Sequence, residues 1–504
     1  EISACLVGSE MCIRDSNNVA GMLNLELTSS QKVKGASSFL FVNNDYSMHY
    51  INGNPKDGQM LSEVKDHLMS VLEKIKEGDF DDWLIQACAI ELKRRFIKDI
   101  AEGRNLDAIF ATAFTQFQSW SKRLAFYDEM QNVSKQQLVE FVKSAYKHNY
   151  VVVNKKQGPS TEMVKVSKPQ VTPIMLNGNK SSVWAASFQK TKPAEIKPEF
   201  VDYSKAINHI HLPEGISIEH VPNLKSHLFQ ADIIFGAGKA TDKKILLAVN
   251  YLNFVATSQY TLAGWRKEFY KLGLSFSFNV HEGHTVFHIE GMKDNLYQGI
   301  QLLSQIVNTL TPDPDTYDNY ILSILNNRRT QLTSITSIRQ AVVNFALFGE
   351  QSTFRDAYTQ EELKNIDPRE LTDLVRNLFS NYRFRAFYYG DELDKFTSAL
   401  LKFFPTIAIR QNFPRANHFF IQPSKPVIYF VNYEGAQAQV DFLIRGQIFK
   451  IETMPLSNMF NRFVEKVYMN EIREVRSLAY SGFATHFISE DSANYDYMQL
   501  HART

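Results

Sequence analysis

The sequence has almost no cysteine, no surplus of charge of either sign and no long apolar run. Of three cysteines in 504 residues, Cys5 and Cys12 fall in a non-periodic leading stretch. Cys88 is then the sole thiol of the patterned chain. One thiol builds neither a disulfide framework nor a thiolate metal site, and its apolar helical surroundings predict a buried structural residue. A formal net charge of +1 supplies no long-range field to gather nucleic acid or anionic lipid. No apolar run reaches the roughly 18–20 residues that cross a bilayer, and no basic-then-apolar leader opens the chain. Nucleotide and serine-hydrolase readings have no support either. There is no G-x-x-x-x-G-K followed by Ser or Thr, no G-x-G-x-x-G and no G-x-S-x-G, and the inverted zinc motif H-x-x-E-H is also missing.

What is present is ordinary globular material, 44% hydrophobic and 22% charged, with room for several cores. Residues 1–16, EISACLVGSEMCIRDS, show no helical or strand period and resemble a translated sequencing-adaptor tail, so they are expected to be non-native.

Self-similarity organises the rest. Val133 to Tyr146 aligns without gaps on Ile366 to Phe379, an offset of 233. Ser134 and Asp367 stand at N-cap positions, Gln137 and Glu370 three residues later predict capping boxes, and Pro368 suits the first helical turn. Behind the caps, Leu138, Phe141, Val142 and Tyr146 match Leu371, Leu374, Val375 and Phe379 as an apolar stripe. A strand is expected after each helix, at Tyr150–Asn154 and at Phe384–Tyr389. A second echo joins Gln230–Phe235 to Gln439–Ile444 at an offset of about 209. The pattern predicts an α+β chain of tandem homologous domains of about 210–230 residues, each a mostly antiparallel sheet with helices packed on it.

Near the end, Ile472-Arg473-Glu474-Val475-Arg476-Ser477-Leu478-Ala479-Tyr480-Ser481 places an arginine at the close of a predicted helix and a tyrosine seven positions on, on a following strand. Both side chains donate hydrogen bonds, and two donors aimed at one carbonyl oxygen are what a peptide-bond transition state asks for. This block, with the domain-opening strand and helix before it, resembles the insulinase and pitrilysin family of zinc metallopeptidases. There a helix ending in Leu-Arg-x-x-x-x-Leu-x-Tyr carries an Arg and a Tyr to a zinc site in the N-terminal half. Ser477 departs from the pattern, which usually has Gly before Leu.

The resemblance implies the following map. Residues 17–155 are the remainder of a second peptidase-like domain, and 156–207, rich in proline and lysine, link the two halves. Residues 208–415 are a complete third domain, with a strand pair around Ile216 to Phe235, and 416–504 are a truncated fourth domain carrying the Arg/Tyr block. It implies a parent that cleaves peptides or unfolded polypeptide in an enclosed chamber, with zinc held by residues of the missing N-terminal half. Arg473 and Tyr480 would serve as transition-state donors, and a periplasmic or cell-envelope location in a bacterium is favoured. On its own the chain is expected to bind no zinc and to hydrolyse nothing. The rival expectation is a non-catalytic homologue acting as scaffold or partner subunit.

Other polar clusters read as structural. His281-Glu282-Gly283-His284 is expected to form the turn between strands at Ser275–Val280 and Thr285–Ile289, its histidines pointing apart. His284 and His288 share a face but lie roughly 13 Å apart along a strand, too far for one ion. Ile245–Phe254 stands where the family's first domain has its zinc helix, yet holds no His or Glu. His209 and His211 read as edge histidines, and Lys93-Arg94-Arg95 as a solvated helix face.

Overall fold

The structure, a computed structural model, describes residues 21–488 and 495–503, apart from 29, 44, 157, 159–180, 193–194, 196, 198–199, 213–214, 353, 406–411, 413–420, 422–424, 434–436 and 449. The tail assigned to 1–16 and most of the 156–207 linker lie outside the described residues. In chain order the strands are β1 (Gly35–Val42), β2 (Ser47–Asn54), β3 (Asn208–His211), β4 (Ile216–Val221), β5 (Leu228–Phe235), β6 (Ala256–Thr257), β7 (Ser275–Val280), β8 (Thr285–Met292), β9 (Leu310–Thr311), β10 (Phe384–Tyr389), β11 (Gln439–Ile448), β12 (Ser481–Phe487) and β13 (Tyr495–Arg503). The principal helices are α1 (Leu61–Glu77), α2 (Trp83–Glu102), α3 (Leu106–Thr115), α4 (Trp120–Glu129), α5 (Lys135–Ala145), α6 (Lys243–Tyr251), α7 (Leu262–Lys271), α8 (Leu296–Asn308), α9 (Pro314–Leu332), α10 (Ile335–Phe348), α11 (Pro368–Asn381), α12 (Leu393–Phe403) and α13 (Met454–Met469).

The chain divides into two compact units. The first comprises Glu1–Gln157, Tyr203–Tyr317 and Asp367–Phe413; the second comprises Gly158–Asp202, Asp318–Ile366 and Pro414–Thr504.

Local signals account for the helices of the first unit. The apolar stripe of α1 buries Val64, Val71, Leu72 and Ile75 and stops at Gly78, whose φ of +74° suits a residue without Cβ. Ser134 and Gln137 complete the expected capping box on α5. Asp367 caps α11 and Pro368 opens it, but no box forms there: Asp367 accepts from the Arg369 N–H, while Glu370 reaches Lys244 at 2.7 Å. A cross-helix cation outcompetes a box that would only satisfy a backbone donor. Around the β1–β2 hairpin, α1, α2 and α5 bury Leu23, Leu27, Ile75, Leu84, Leu138 and Val142 with Cys88, whose Sγ accepts from the Tyr270 hydroxyl at 3.2 Å.

The larger sheet of this unit runs β3-β4-β10-β5-β8-β7. Strands β4 and β5 do not form the pair expected around Ile216 to Phe235. Strand β10 enters between them, parallel to β4 and antiparallel to β5, so that Ala386 lies opposite both Ile218 and Ile233. One face of this central strand lies in the core, burying Phe384, Ala386 and Tyr388, while Arg385 on the other face is exposed. From α11, Phe379 packs edge-on to Phe235 and Phe287 with ring centroids 4.9 and 4.8 Å away. Each such buried ring stabilises the fold by roughly 1.5–3 kcal/mol.

The strand expected at Tyr150–Asn154 does not form. These residues follow α5 as β10 follows α11, yet they are exposed and pair with no strand among the described residues. A β-rich run becomes a strand only where a neighbour satisfies its backbone groups.

Arg94 is also misplaced by the sequence reading. It is 4% exposed and lies within a closed ionic cluster. Its Nε and Nη2 donate to the Glu91 carboxylate, both at 2.8 Å, and its Nη1 donates to Glu290 at 2.7 Å. Lys98 also binds Glu290. On the same strand, Nδ1 of His288 meets Asp232 at 2.6 Å. Burial would lower the His288 pKa, but Asp232 and Glu290 raise it to about 9. Burial would raise that of Glu290, yet His288, Lys98 and Arg94 hold it well below the carboxylate range. The helix spacing of Glu91 and Arg94 was legible; that a strand nearly two hundred residues away supplies the second acid was not.

The second unit holds a three-stranded antiparallel sheet in the order β11-β13-β12. It repeats β5-β8-β7, down to a cross-strand Asp/His pair: Asp441 faces His501 on β13 as Asp232 faces His288 on β8.

Candidate functional site

Helix α13 carries the Arg/Tyr block at its C-terminal end and is pinned to β12. Asn461 and His486 exchange side-chain and backbone hydrogen bonds at 2.9 and 2.6 Å, Ser457 Oγ meets His486 Nδ1 at 2.6 Å, and the Tyr468 hydroxyl donates to the His501 carbonyl at 3.0 Å. Strand β11 is fixed by Asp441, which accepts from Arg339 at 2.8 Å and from Gln499 at 2.7 Å.

The helix then widens into a π-helical turn, Asn470–Val475. The Leu478 N–H closes it on the Ile472 carbonyl at 2.9 Å. Closure needs a left-handed residue, and Ser477 fills that place with φ +52°. A serine holds this left-handed conformation at a steric cost that a glycine would not bear. Ala479 turns inward and is buried, and Tyr480 turns outward, one residue before β12.

Arg473 and Tyr480 are therefore both at the surface of one helix–turn–strand junction. The Arg473 Nε donates to Glu474 at 2.6 Å. Tyr480 is 85% exposed, and its hydroxyl has no partner among the described residues. No hydrogen bond joins the two side chains. The junction exposes two hydrogen-bond donors, the Arg473 guanidinium, paired with Glu474, and the Tyr480 hydroxyl.

Elsewhere, His281 and His284 do flank the β7–β8 turn, but their rings stack with centroids 4.3 Å apart instead of diverging. The turn is narrow enough to bring its two flanks face to face, and His281 N–H donates to the His284 carbonyl at 2.8 Å. His288 is committed to Asp232. His209 and His211 are exposed on the edge strand β3. Among the described residues no three His, Cys, Asp or Glu side chains converge as a metal requires. No described helix is long and apolar enough to cross a membrane. The sequence reading missed an open groove of about 710 Å³ at one end of the large sheet, where His211, Ser217, His284, Arg383 and Arg385 gather from four separate segments.

No protein-family model matches the sequence, and no curated protein matches it. Its fold does match solved structures. The periplasmic protease PqqL from Escherichia coli superposes with a TM-score of 0.50 at 14% identity over 97% of this chain. The ferredoxin protease FusC, solved in complex with Arabidopsis ferredoxin, gives 0.52 at 11% identity over 99% of it. A peptidase M16 inactive domain from Pseudomonas fluorescens gives 0.50 at 16% identity, covering 59% of this chain and 74% of that one. The architecture is that of the M16-type peptidases. The chain spans 57% of the length of PqqL and 58% of that of FusC.

Proposed function

We propose that this chain is the C-terminal part of an M16-type metalloendopeptidase that acts on peptides or unfolded polypeptide, and that Arg473 and Tyr480 bind the scissile carbonyl. The observation that carries the reading is the junction itself. An M16-type fold extends over nearly the whole chain, and the two donors emerge together at the exposed end of α13. As the carbonyl carbon becomes tetrahedral its oxygen gains negative charge. A guanidinium and a phenol O–H then donate more strongly to that oxygen than to the ground-state carbonyl, which lowers the barrier. Zinc belongs to the proposal as well: it would be held by an H-x-x-E-H segment outside these residues and would activate a water for attack on the carbonyl that Arg473 and Tyr480 hold. A bacterial cell-envelope location is proposed on the likeness to PqqL, described as a periplasmic protease.

The test is turnover of a fluorogenic peptide by the longer protein. Tyr480→Phe and Arg473→Met should each lower kcat by about a hundredfold or more with little change in KM, and residues 17–504 alone should give no turnover. Wild-type kcat in Tyr480→Phe would remove the assignment.

A second reading, a non-catalytic scaffold or partner subunit, is favoured by the Arg473–Glu474 pair, which occupies the guanidinium, and by the likeness to an inactive M16 domain. It requires that the longer protein cleave no peptide and that both substitutions leave its binding partners unchanged.

A further inference from the structure

The register of the large sheet gathers basic side chains at one of its ends. Cross-strand pairing sets His211 of β3, Ser217 of β4, Arg385 of β10 and Ile234 of β5 in one row on the same face. One residue further along, the same register sets Gly215, Arg383, Gly236 and His284 in a second row. Arg383 and Arg385 are exposed while Phe384 between them is buried, so both arginines leave the sheet on one side. Gly215 and Gly236 flank Arg383 without side chains, which opens the floor beside it. Together these rows line the groove of about 710 Å³. All of it lies in the first compact unit, within the stretch 208–415 that reads as a complete domain.

Two arginines and two histidines thus meet in a groove that no acidic side chain lines among the described residues. On a chain whose formal net charge is only +1, composition alone does not produce such a cluster. Glu219, beyond the first row, accepts from Arg385 Nη1 at 3.2 Å, but a guanidinium carries several further N–H donors.

We propose that the groove binds an extended acidic peptide segment of a partner protein. From His211 to His284 the rows cross the five strands β3, β4, β10, β5 and β8. At about 4.8 Å per spacing that is roughly 19 Å, which six extended residues match at about 3.3 Å each. A single phosphate or carboxylate would fill little of that length. Acidic side chains of the segment meet the paired guanidinium groups, which hold carboxylates bidentately, and apolar ones rest on Leu212 and Ile234. A nucleic acid fits less well: Phe384, the one Phe, Tyr or Trp of the lining, is buried, and leaves no ring on which a base could stack. This inference does not depend on the proposed catalytic role.

The test is fluorescence anisotropy with the full 504-residue chain and a fluorescein-labelled octapeptide of alternating glutamate and leucine. Binding should saturate and weaken as salt is raised, and the same peptide with glutamine for glutamate should not bind. Arg383→Gln combined with Arg385→Gln should lower affinity about tenfold or more, because charge-assisted hydrogen bonds to carboxylate are lost. Gly283→Glu probes the groove without touching an arginine. A Cβ there meets nothing within 4 Å, and the added carboxylate should repel the peptide to a similar extent. Arg369→Gln, at the start of α11 and outside the lining, should change nothing. Far-UV circular dichroism should match the wild type in every variant. No binding of the acidic peptide, equal affinity for the glutamine peptide, wild-type affinity in the double variant or in Gly283→Glu, or an equal loss in Arg369→Gln would each overturn the proposal. Displacement of the peptide by lower concentrations of sodium triphosphate or oligodeoxythymidylate than of unlabelled peptide would overturn it too, in favour of a small-anion or nucleic-acid site.

Discussion

Arg94 shows how one side chain can carry much of the stability of its surroundings. Removing the buried cation takes away the one group that bridges Glu91 and Glu290, leaving Glu91 to Arg95 and Glu290 to Lys98 and His288, and breaking such a buried cluster costs up to about 3–5 kcal/mol. Arg94→Met should therefore lower the urea midpoint of the first unit sharply. Replacing Glu91, Arg94 and Glu290 together by apolar residues should restore much of the loss, because the most deeply buried charges leave together while Arg95 and Lys98 are partly exposed to solvent. His288 adds a pH dependence. Its pKa is raised from 6.5 to about 9 by Asp232 and Glu290, so its contribution is complete below about pH 6.5, shrinks as pH climbs, and is gone above about pH 9. On the order of 2 kcal/mol should disappear over that window, seen as a urea midpoint that falls from pH 6 to pH 9.5 in the wild type and much less in His288→Gln. Ser477 supplies a change of opposite sign. A left-handed φ costs a serine roughly 1 kcal/mol that glycine does not bear, partly offset by the greater freedom of glycine when unfolded. Ser477→Gly should raise the stability of the second unit by about 0.5 kcal/mol in urea titration, leaving α13 in place.

Elements set by neighbours in sequence were legible, and elements set by distant partners were not. The Gly78 stop, the Ser134 cap and the β7–β8 hairpin each depend on residues within a few positions. Strand β10 and the run at 150–154 begin from the same pattern, and only the presence of β4 and β5 makes one a central strand. The same division separates Glu91, an expected helix neighbour of Arg94, from Glu290, which no local rule brings near. At the site, the Arg473–Tyr480 spacing was readable, while the π-helical widening and the left-handed Ser477 that orient it emerged only from the backbone. The β7–β8 turn also shows an element held by close backbone approach. Lys239 and Ala240 donate their N–H groups to the His281 and Glu282 carbonyls at 3.0 and 2.9 Å. That docking leaves no room at Gly238, where a Cβ would stand 2.2 Å from the His281 oxygen and 2.5 Å from that of Glu282. Gly238→Ala should thus push the turn away and cost roughly 1–3 kcal/mol. Faster hydrogen exchange at Lys239 and Ala240 would be the direct sign, and unchanged exchange there would contradict the account.

At the scale of the whole molecule, the two units differ in how much apolar surface they enclose. Among the described residues nearly all the buried apolar side chains belong to the first unit; the second contributes Tyr320, Ile321, Val343, Leu363, Ala479 and Ala484. Its sheet has the strand order of half of the large one, and α13 leaves Leu456, Met459 and Phe463 exposed. Hydrophobic burial is the main term that offsets chain entropy, so a unit that buries less opens at lower free energy. Native-state hydrogen exchange of dilute protein should accordingly protect the amides of β11, β12 and β13 less than those of β5, β8 and β10. The difference should persist in Arg94→Met, but with the two sets closer, because that substitution weakens only the first unit. Equal protection of all six strands in the wild type would mean that the units unfold as one body and that the exposed face of the second is covered in solution.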